Sequence, residues 1–259
     1  MKLVDLSIPL EADVLSEPSF DEEWESPPRI RYVRHEESVE TYLEMFGVKK
    51  DEVPDNAAWA VEVVHALTHA GTHLDAPWHY GSVIAGKPAK TIDEVPLEWC
   101  YGDAVVLDMR QKGVGEFITV SDVEQALGKI NYEVKPKDIV LFQTDGDKLW
   151  GKPEYLTDFP GVSKEAAVSL IEKGVKVMGT DAYNFDLPFQ KAKELYEKTG
   201  DPTVIESCHV WMREKEHLHF EKLSNLDKLP PYGFKFAGFP IKIKGASAGW
   251  VRAVAFVEE

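Results

Sequence analysis

Residues 69–79 hold a dense group of metal-ligating side chains, in the order His-Ala-Gly-Thr-His-Leu-Asp-Ala-Pro-Trp-His. Imidazoles and carboxylates are the donors that suit zinc, manganese and iron. An ordinary turn with unrelated histidines is the alternative, but three imidazoles and a carboxylate gathered around a glycine favour a metal site. A helical His-x-x-x-His site is disfavoured because Gly and Pro destabilise a helix and Thr is a weak helix former.

The spacing of the motif constrains its backbone. In a straight strand, His69, His73 and Asp75 would share one face. His69 and His73 would then lie about 13 Å apart, too far for both to make bonds of about 2.0–2.1 Å to one cation. The chain must therefore curl, and Gly71 is the residue that tolerates the curl. His79 lies beyond the following proline, free to face the same cavity without being a ligand.

The composition argues against two classes of partner. A formal net charge of −16, from 29 basic and 45 acidic residues, argues against nucleic acid, because phosphate binding needs a basic face. It gives no support to binding an anionic membrane, and no run of 18 apolar residues predicts a membrane span. Asp5 stands where a signal peptide needs an apolar run. Two cysteines, Cys100 and Cys208, make no disulfide framework, so we expect a cytoplasmic protein. We expect Cys208 to be a packed thiol and not a nucleophile.

Hydrophobic periodicity predicts an α/β fold between residues 104 and 205. Apolar runs typical of buried strands alternate there with helices, which implies right-handed βαβ units. Both ends of the chain are mostly β, beginning with a strand at 3–9, and 59–67 is predicted to be the strand that delivers the motif. The other predicted strands are 104–109, 138–143, 175–179, 239–244 and 251–257, and the predicted helices are 121–128 (opened by a capping box at Ser121 and Glu124), 163–173 and 189–198.

Residues 16–56 differ from the rest of the chain. Acids, prolines and scattered aromatic residues show no sustained period there, apart from a short helix predicted at 39–48. Disordered tails are poor in aromatic residues, so we predict an ordered loop, either a lid over the metal cleft or an ordinary surface excursion. No internal repeat or clean linker is visible, and we predict one domain over residues 1–259.

The motif His-x-Gly-Thr-His-x-Asp-x-Pro-x-His resembles the signature of the metal-dependent cyclase family, which includes kynurenine formamidase and isatin hydrolase. The resemblance extends to Asp5-Leu-Ser-x-Pro-Leu, to Thr180-Asp181-Ala182 and to the region from His209 to Pro231. It implies an α/β fold of the swivelling β/β/α sandwich type, a single domain with a mixed sheet. It also implies a homodimer or higher homo-oligomer.

Periodicity alone does not choose among the histidines outside the motif. The resemblance selects His209, which is followed by Glu221 in Glu-Lys-Leu-Ser-Asn-Leu as in the family's second ligand set. It implies one metal on His69, His73 and Asp75 and a second on Asp75, His209 and Glu221. A short carboxylate such as that of Asp75 can bridge two cations about 3.5–4 Å apart. Three of the other histidines, His65, His217 and His219, are expected to be packed residues.

The resemblance therefore implies a metal-dependent hydrolase of a carbon–nitrogen bond in an amide or lactam, similar to arylformamidases that act on N-formylkynurenine. One or two Zn²⁺ ions per chain, or Mn²⁺, would activate water, with His79 as general acid/base and Glu221 as the other catalytic group. Aromatic residues of 20–46, with Trp78 and Trp150, would pack a small aromatic or cyclic amide substrate.

Two alternatives stay open. Tyr183-Asn184 stands where formamidases commonly have a small residue and serine, and the segment before the motif is longer. Both departures leave room for opening of an isatin, cyclic imide or lactone ring. The other alternative is a metal-binding or interaction protein without turnover. His79 discriminates against it, because a storage site needs no base beyond its ligands.

Overall fold

The structure, a computed structural model, describes residues 1–12 and 28–258. The chain forms two compact units: a larger unit of Met1–Leu10 and Thr68–Glu259, and a smaller unit of Glu11–Leu67. The single domain predicted for 1–259 stays a prediction. Residues 16–27 of the predicted lid, with Phe20 and Trp24, lie outside the described residues.

The described residues form short strands and a few helices. The strands are β1 (Lys2–Asp5), β2 (Arg29–Val33), β3 (Val61–His65), β4 (His73–Asp75), β5 (Val83–Ile84), β6 (Lys87–Pro88), β7 (Tyr101–Asp108), β8 (Phe117–Ile118), β9 (Ile139–Gln143), β10 (Gly161–Val162), β11 (Val177–Thr180), β12 (Leu218–Glu221), β13 (Phe234–Ala237), β14 (Ala248–Trp250) and β15 (Val254–Val257). The α-helices are α1 (His35–Phe46), α2 (Pro77–Tyr80), α3 (Val120–Lys129), α4 (Lys164–Glu172) and α5 (Phe189–Thr199). No helix in this part of the chain is long and apolar enough to cross a membrane.

A nine-stranded mixed sheet organises the larger unit, in the order β1-β15-β13-β7-β9-β11-β12-β4-β14. The four central strands β7, β9, β11 and β12 are parallel, and every other neighbouring pair is antiparallel. The parallel centre corresponds to the βαβ region that the sequence predicts. The α/β fold with a mixed sheet is confirmed.

β7, β9 and β11 are buried on both faces along most of their length, which explains their apolar runs. On β7, Ala104 and Val106 pack into one hydrophobic cluster, while Val105 and Leu107 pack into the other. The second cluster also takes residues of α3 and α4, so these helices cover that face of the sheet. The candidate site lies on the same face, because Met178, which belongs to the second cluster, is in register with His219 of β12.

Side-chain caps set the helix starts. Helix α3 begins earlier than predicted, because Thr119 rather than Ser121 is the N-cap. The Thr119 hydroxyl accepts a hydrogen bond from the Asp122 amide, and the Asp122 carboxylate accepts one from the Thr119 amide. Ser163 caps α4 as predicted, by accepting from Ala166 N at 3.2 Å. Helix α5 ends at Gly200 in the left-handed conformation, also as predicted.

The smaller unit contains α1 and the antiparallel ribbon of β2 and β3. The helix predicted at 39–48 is present as α1, and Tyr42, Phe46 and Trp59 make an aromatic cluster beside it. The predicted strand at 59–67 exists as β3, but its assignment as the strand that delivers the motif is wrong. Within the described residues, β3 pairs with β2 and lies outside the large sheet, because Arg29–Val33 satisfies its ladder locally.

Two predictions at the chain ends need correction. The strand predicted at 239–244 is wrong, since β13 already ends at Ala237 and the following stretch is irregular. Pro240 cannot donate to a ladder, so the apolar alternation after it does not continue the sheet. The strand predicted at 3–9 is shorter, because β1 ends at Asp5, while 251–257 contains β15.

Candidate metal centre

The motif curls at the predicted glycine. Gly71 has a φ of +63°, in the left-handed region that glycine tolerates. The Thr72 hydroxyl fixes the turn by donating to the carbonyl of Lys222 and accepting from Ile8 N. The chain then enters β4, and Pro77 begins the short helix α2 that carries His79.

Strand pairing collects the ligands on one face. β4 and β12 are antiparallel, with Glu221 opposite His73 and His219 opposite Asp75. Opposite residues of such a pair project to the same side of the sheet. The intervening residue of β4, Leu74, belongs to the hydrophobic core on the other face. Alternation along two short strands thus separates polar donors from the core.

The structure brings the five predicted ligands together around the Asp75 carboxylate. His69 Nδ1 lies 2.9 Å and His73 Nε2 lies 3.3 Å from Asp75 Oδ1. On the other side, His209 Nε2 lies 3.5 Å from Asp75 Oδ2 and 3.6 Å from Glu221 Oε1. His73 Nε2 lies 3.7 Å from Glu221 Oε2. All except the half-buried His69 are buried. Their role as ligands stays a prediction.

Hydrogen bonds orient the imidazoles. His73 Nδ1 donates to the carbonyl of Gly71 at 2.9 Å, and His209 Nδ1 donates to Asp186 Oδ2 at 2.6 Å. Nε2 of each ring then faces the carboxylates, the orientation in which a neutral imidazole can bind a metal. His69 is held from the other side, where Nε2 lies 3.0 Å from Ser247 Oγ.

Sequence reasoning missed Asp186. Its carboxylate accepts hydrogen bonds from Ser207 Oγ, from Cys208 N, and from the backbone N and the Nδ1 of His209. Burial alone would lower the pKa of His209, but the carboxylates of Asp186 and Asp75 outweigh it and raise that pKa well above its usual value. The signal for Asp186 was its place soon after a parallel strand, at the edge where such sheets bind ligands.

The two central carboxylates have opposite pKa shifts. Burial first, and then the charge of Asp75, raise the pKa of Glu221 to about 7. Burial would also raise the pKa of Asp75, but His69, His79 and His73 hold it well below its usual range. Two carboxylates this close repel each other when both are charged, and cations would relieve the repulsion.

The donors present fit divalent cations. His73 Nε2 and both carboxylate oxygens of Asp75 are buried, and within the described residues they make close contacts with one another and with His69 and His209 but no hydrogen bond of good geometry. Buried polar atoms are rarely left unpaired, so these atoms need a partner such as an ion. Nitrogen and oxygen donors together match zinc or manganese rather than calcium.

His79 and Trp78 form the exposed part of the site. The His79 ring centre lies 4.1 Å from that of His69 and 5.3 Å from that of His209. The protein packed around the His79 ring lowers its pKa below the usual value. Trp150, which was predicted to pack the substrate, has its ring centre 5.2 Å from that of Tyr155. Its contact with substrate stays a prediction.

The histidines expected to be packed behave differently from one another. His217 and His219 are fully buried, as predicted. His65 is exposed in the smaller unit, so that prediction is wrong for His65, which lies on a strand of an exposed ribbon. His219 also offers a ring nitrogen within 4.8 Å of donor atoms of Asp75, His209 and Glu221, which sequence reasoning missed. The alternation His-x-His-x-Glu at 217–221 was the available signal.

A cavity of about 300 Å³ lies beside the turn rather than at the ligands. Its lining includes Pro9, Leu10, Gly71, Thr72 and Trp250, and none of the predicted ligands in the described part of the chain. This cavity is therefore separate from the group of predicted ligands.

The sequence of this chain is similar to a known protein family and to two named relatives. The family model described as "Putative cyclase" matches residues 4–187. A kynurenine formamidase of Erythrobacter litoralis is 30% identical over 190 residues, covering 72% of this chain and 72% of the relative. An isatin hydrolase of Roseibium aggregatum is 25% identical over 205 residues, covering 73% of this chain and 72% of the relative.

Solved structures share the fold over nearly the whole chain. Isatin hydrolase A from Ralstonia solanacearum is similar with a TM-score of 0.75 and 25% identity. The match covers 99% of this chain and 92% of that one.

Proposed function

The chain belongs to the putative cyclase family, and on that premise we propose that it hydrolyses an aryl formamide of the N-formylkynurenine type. The names of its relatives confirm the coarser class that the sequence predicts, a metal-dependent hydrolase of carbon–nitrogen bonds other than peptide bonds. The substrate within that class is the proposal.

One observation carries the proposal: two sets of donors, all buried except the half-buried His69, meet at the single carboxylate of Asp75. Divalent cations held there would lower the pKa of water and polarise a substrate carbonyl. The protein contributes fixed donors, since Gly71 and Asp186 orient His73 and His209 through hydrogen bonds. Preorganised groups need no rearrangement during the reaction.

His79 supplies proton transfer in this proposal. The ring is exposed beside His69, and its lowered pKa keeps it neutral at pH 7, so it can accept a proton from the nucleophile. The His79 ring then donates that proton to the nitrogen of the amide as the carbon–nitrogen bond breaks. Glu221 accepts a hydrogen bond from Phe185 N at 2.9 Å, which holds its carboxylate at the centre of the site.

Opening of an isatin or another cyclic amide or lactone is the second candidate. It is supported by two matches: an isatin hydrolase covers 73% of this chain in sequence, as much as the 72% of the formamidase, and isatin hydrolase A shares the fold with a TM-score of 0.75. The departure at Tyr183-Asn184 points the same way. In the structure, Tyr183 lies against the ammonium of Lys222, 4.3 Å from the ring centre.

A hydrolysis screen tests both candidates. N-formylkynurenine, isatin, cyclic imides and lactones are incubated with protein supplemented with Zn²⁺ or Mn²⁺. We expect turnover of N-formylkynurenine at the highest kcat/KM. A preference for isatin or an imide would support the ring-opening function instead. Metal binding without turnover of any of these substrates would refute the proposal that the protein is an enzyme of this class.

Four finer properties belong to the same proposal: Zn²⁺ or Mn²⁺ as the native metal, one or two ions per chain, a homodimer, and a cytoplasmic location. The donor set supports either metal. Elemental analysis of protein purified without chelator, combined with light scattering, measures the metal content and the oligomeric state.

A further inference from the structure

β12 presents two polar side chains to β4. Glu221 stands opposite His73, and His219 stands opposite Asp75. Opposite Cβ atoms of an antiparallel pair lie about 4.5–5.5 Å apart and face the same side. We propose that His219 is a further metal ligand, sharing the second site with Asp75, His209 and Glu221; this inference rests on the metal-dependent function proposed above.

The ring of His219 is buried without a partner. It is fully buried, and neither ring nitrogen has a hydrogen-bond partner within the described residues. One face of the ring stacks on Phe185, at 3.9 Å between ring centres and 13° between planes. Leaving a buried polar group unpaired costs about 1–3 kcal/mol, whereas leucine would fill an apolar position without that cost. The two ring nitrogens of His219 therefore need a partner that offsets this cost.

The neighbouring donors supply the place for that partner. One donor atom each from His219, Asp75, His209 and Glu221 lie within 4.8 Å of one another. Donors bound to one zinc ion at about 2.0–2.2 Å lie about 3.5 Å apart at a tetrahedral angle. A bound ion would have to draw the most distant of these donors together by up to about 1.3 Å.

His217 provides a matched comparison. It precedes β12 by one residue, is fully buried and lies 4.6 Å from the His219 ring. Its Nδ1 donates to the carbonyl of Lys215, its ring stacks on Tyr80, and it is not among the grouped donors. Nε2 of His217 also lacks a hydrogen-bond partner within the described residues, so what distinguishes His219 is its place among the grouped donors, which His217 does not share.

The extra ligand divides the two sites by their number of donors. The first site has three, from His69, His73 and Asp75, and the second has four with His219 included. Zinc sites with four protein donors are closed and structural, while those with three keep a position for water or substrate. The second site therefore retains its ion more tightly, and the first is where substrate binds.

Zinc titration tests this inference. Metal-free wild type, His219→Leu and His217→Leu are titrated with Zn²⁺ in competition with a chromophoric chelator. We expect two ions in the wild type, loss of at least tenfold in affinity at the tighter site in His219→Leu, and less than threefold change in His217→Leu. The d–d absorption of bound Co²⁺ should shift in the first variant alone, since an imidazole ligand is removed.

Circular dichroism checks that His219→Leu folds. If this variant does not fold, His219→Gln, which keeps a polar side chain, replaces it. We expect the same weakened Zn²⁺ binding in His219→Gln. Wild-type affinity and an unchanged Co²⁺ spectrum in the folded variant would overturn the role of His219. Equal losses in the two leucine variants would overturn it too. A wild type that binds no metal would refute the proposed function itself, so the two failures are distinguishable.

Discussion

Replacement of Asp186 by asparagine isolates the hydrogen bond that supports one predicted metal ligand, His209. The Asp186 carboxylate accepts the 2.6 Å hydrogen bond from His209 Nδ1, as well as bonds from Ser207 Oγ and Cys208 N. The amide of Asp186→Asn has nearly the same shape, but it is neutral and has only one oxygen to accept hydrogen bonds. We expect the second metal to bind more weakly while the fold persists.

The size of the effect follows from the charge of the bond. A hydrogen bond to an ionised group contributes about 1.5–3 kcal/mol, and part of that is retained by the remaining oxygen. Partners of metal-bound histidines typically contribute about 10–100-fold to metal affinity. At about 1.4 kcal/mol per factor of ten, the two figures agree on a loss of about 1.4–2.8 kcal/mol.

Competitive zinc titration measures the loss, with Asp181→Asn as the control. Asp181 is equally buried and accepts bonds from Thr144 N, Thr144 Oγ1 and Asp145 N, but from no predicted ligand. Its replacement should lower stability and leave zinc affinity within about twofold. Unchanged affinity in Asp186→Asn would refute the argument, and so would an equal loss of affinity in both variants.

Three further predictions concern the ligands and the proton carrier. His73→Ala should purify with less metal than wild type by elemental analysis, and equal metal content would contradict the first site. His79→Ala should keep its metal and lose about 10²–10⁴-fold in kcat, the usual contribution of a general acid/base; loss of metal with activity would make His79 a ligand. In metal-free protein the raised pKa of Glu221, about 7, means that the folded chain holds a proton that the unfolded chain releases above about pH 4.5. The contribution of Glu221 to the free energy of unfolding should therefore fall as the pH rises from about 4.5 to above 7, so the wild type should lose stability relative to Glu221→Gln over that range. Urea unfolding with chelator measures the fall, and an identical pH dependence in Glu221→Gln would contradict it.

The sequence predicts three of the four central parallel strands, all but β12, because their signal is local. The predicted strands at 104–109, 138–143 and 175–179 overlap β7, β9 and β11. Burial on both faces imposes a continuous apolar run, and that run is visible without knowing the neighbours. Residues 59–67 show the limit: valine-rich alternation predicts a strand, but the choice of partner depends on residues far along the chain.

The same distinction applies to the site. His69, His73 and Asp75 could be predicted because they lie within one short motif. His209 and Glu221 were reached through the family resemblance and not through any pattern of their own. His219 and Asp186 were missed because their positions depend on strand register and on a loop after β11, which are set by the tertiary fold.

The position of β4 has a consequence for synthesis and assembly. This three-residue strand lies between β12 and β14, both of which come from the last fifth of the chain. During translation the segment 73–75 therefore waits, unpaired on both edges, until residues 218–221 and 248–250 have left the ribosome. Contacts between such distant segments form late and slowly. A newly made chain therefore cannot bring both predicted ligand sets together at Asp75 before its C-terminal part has emerged.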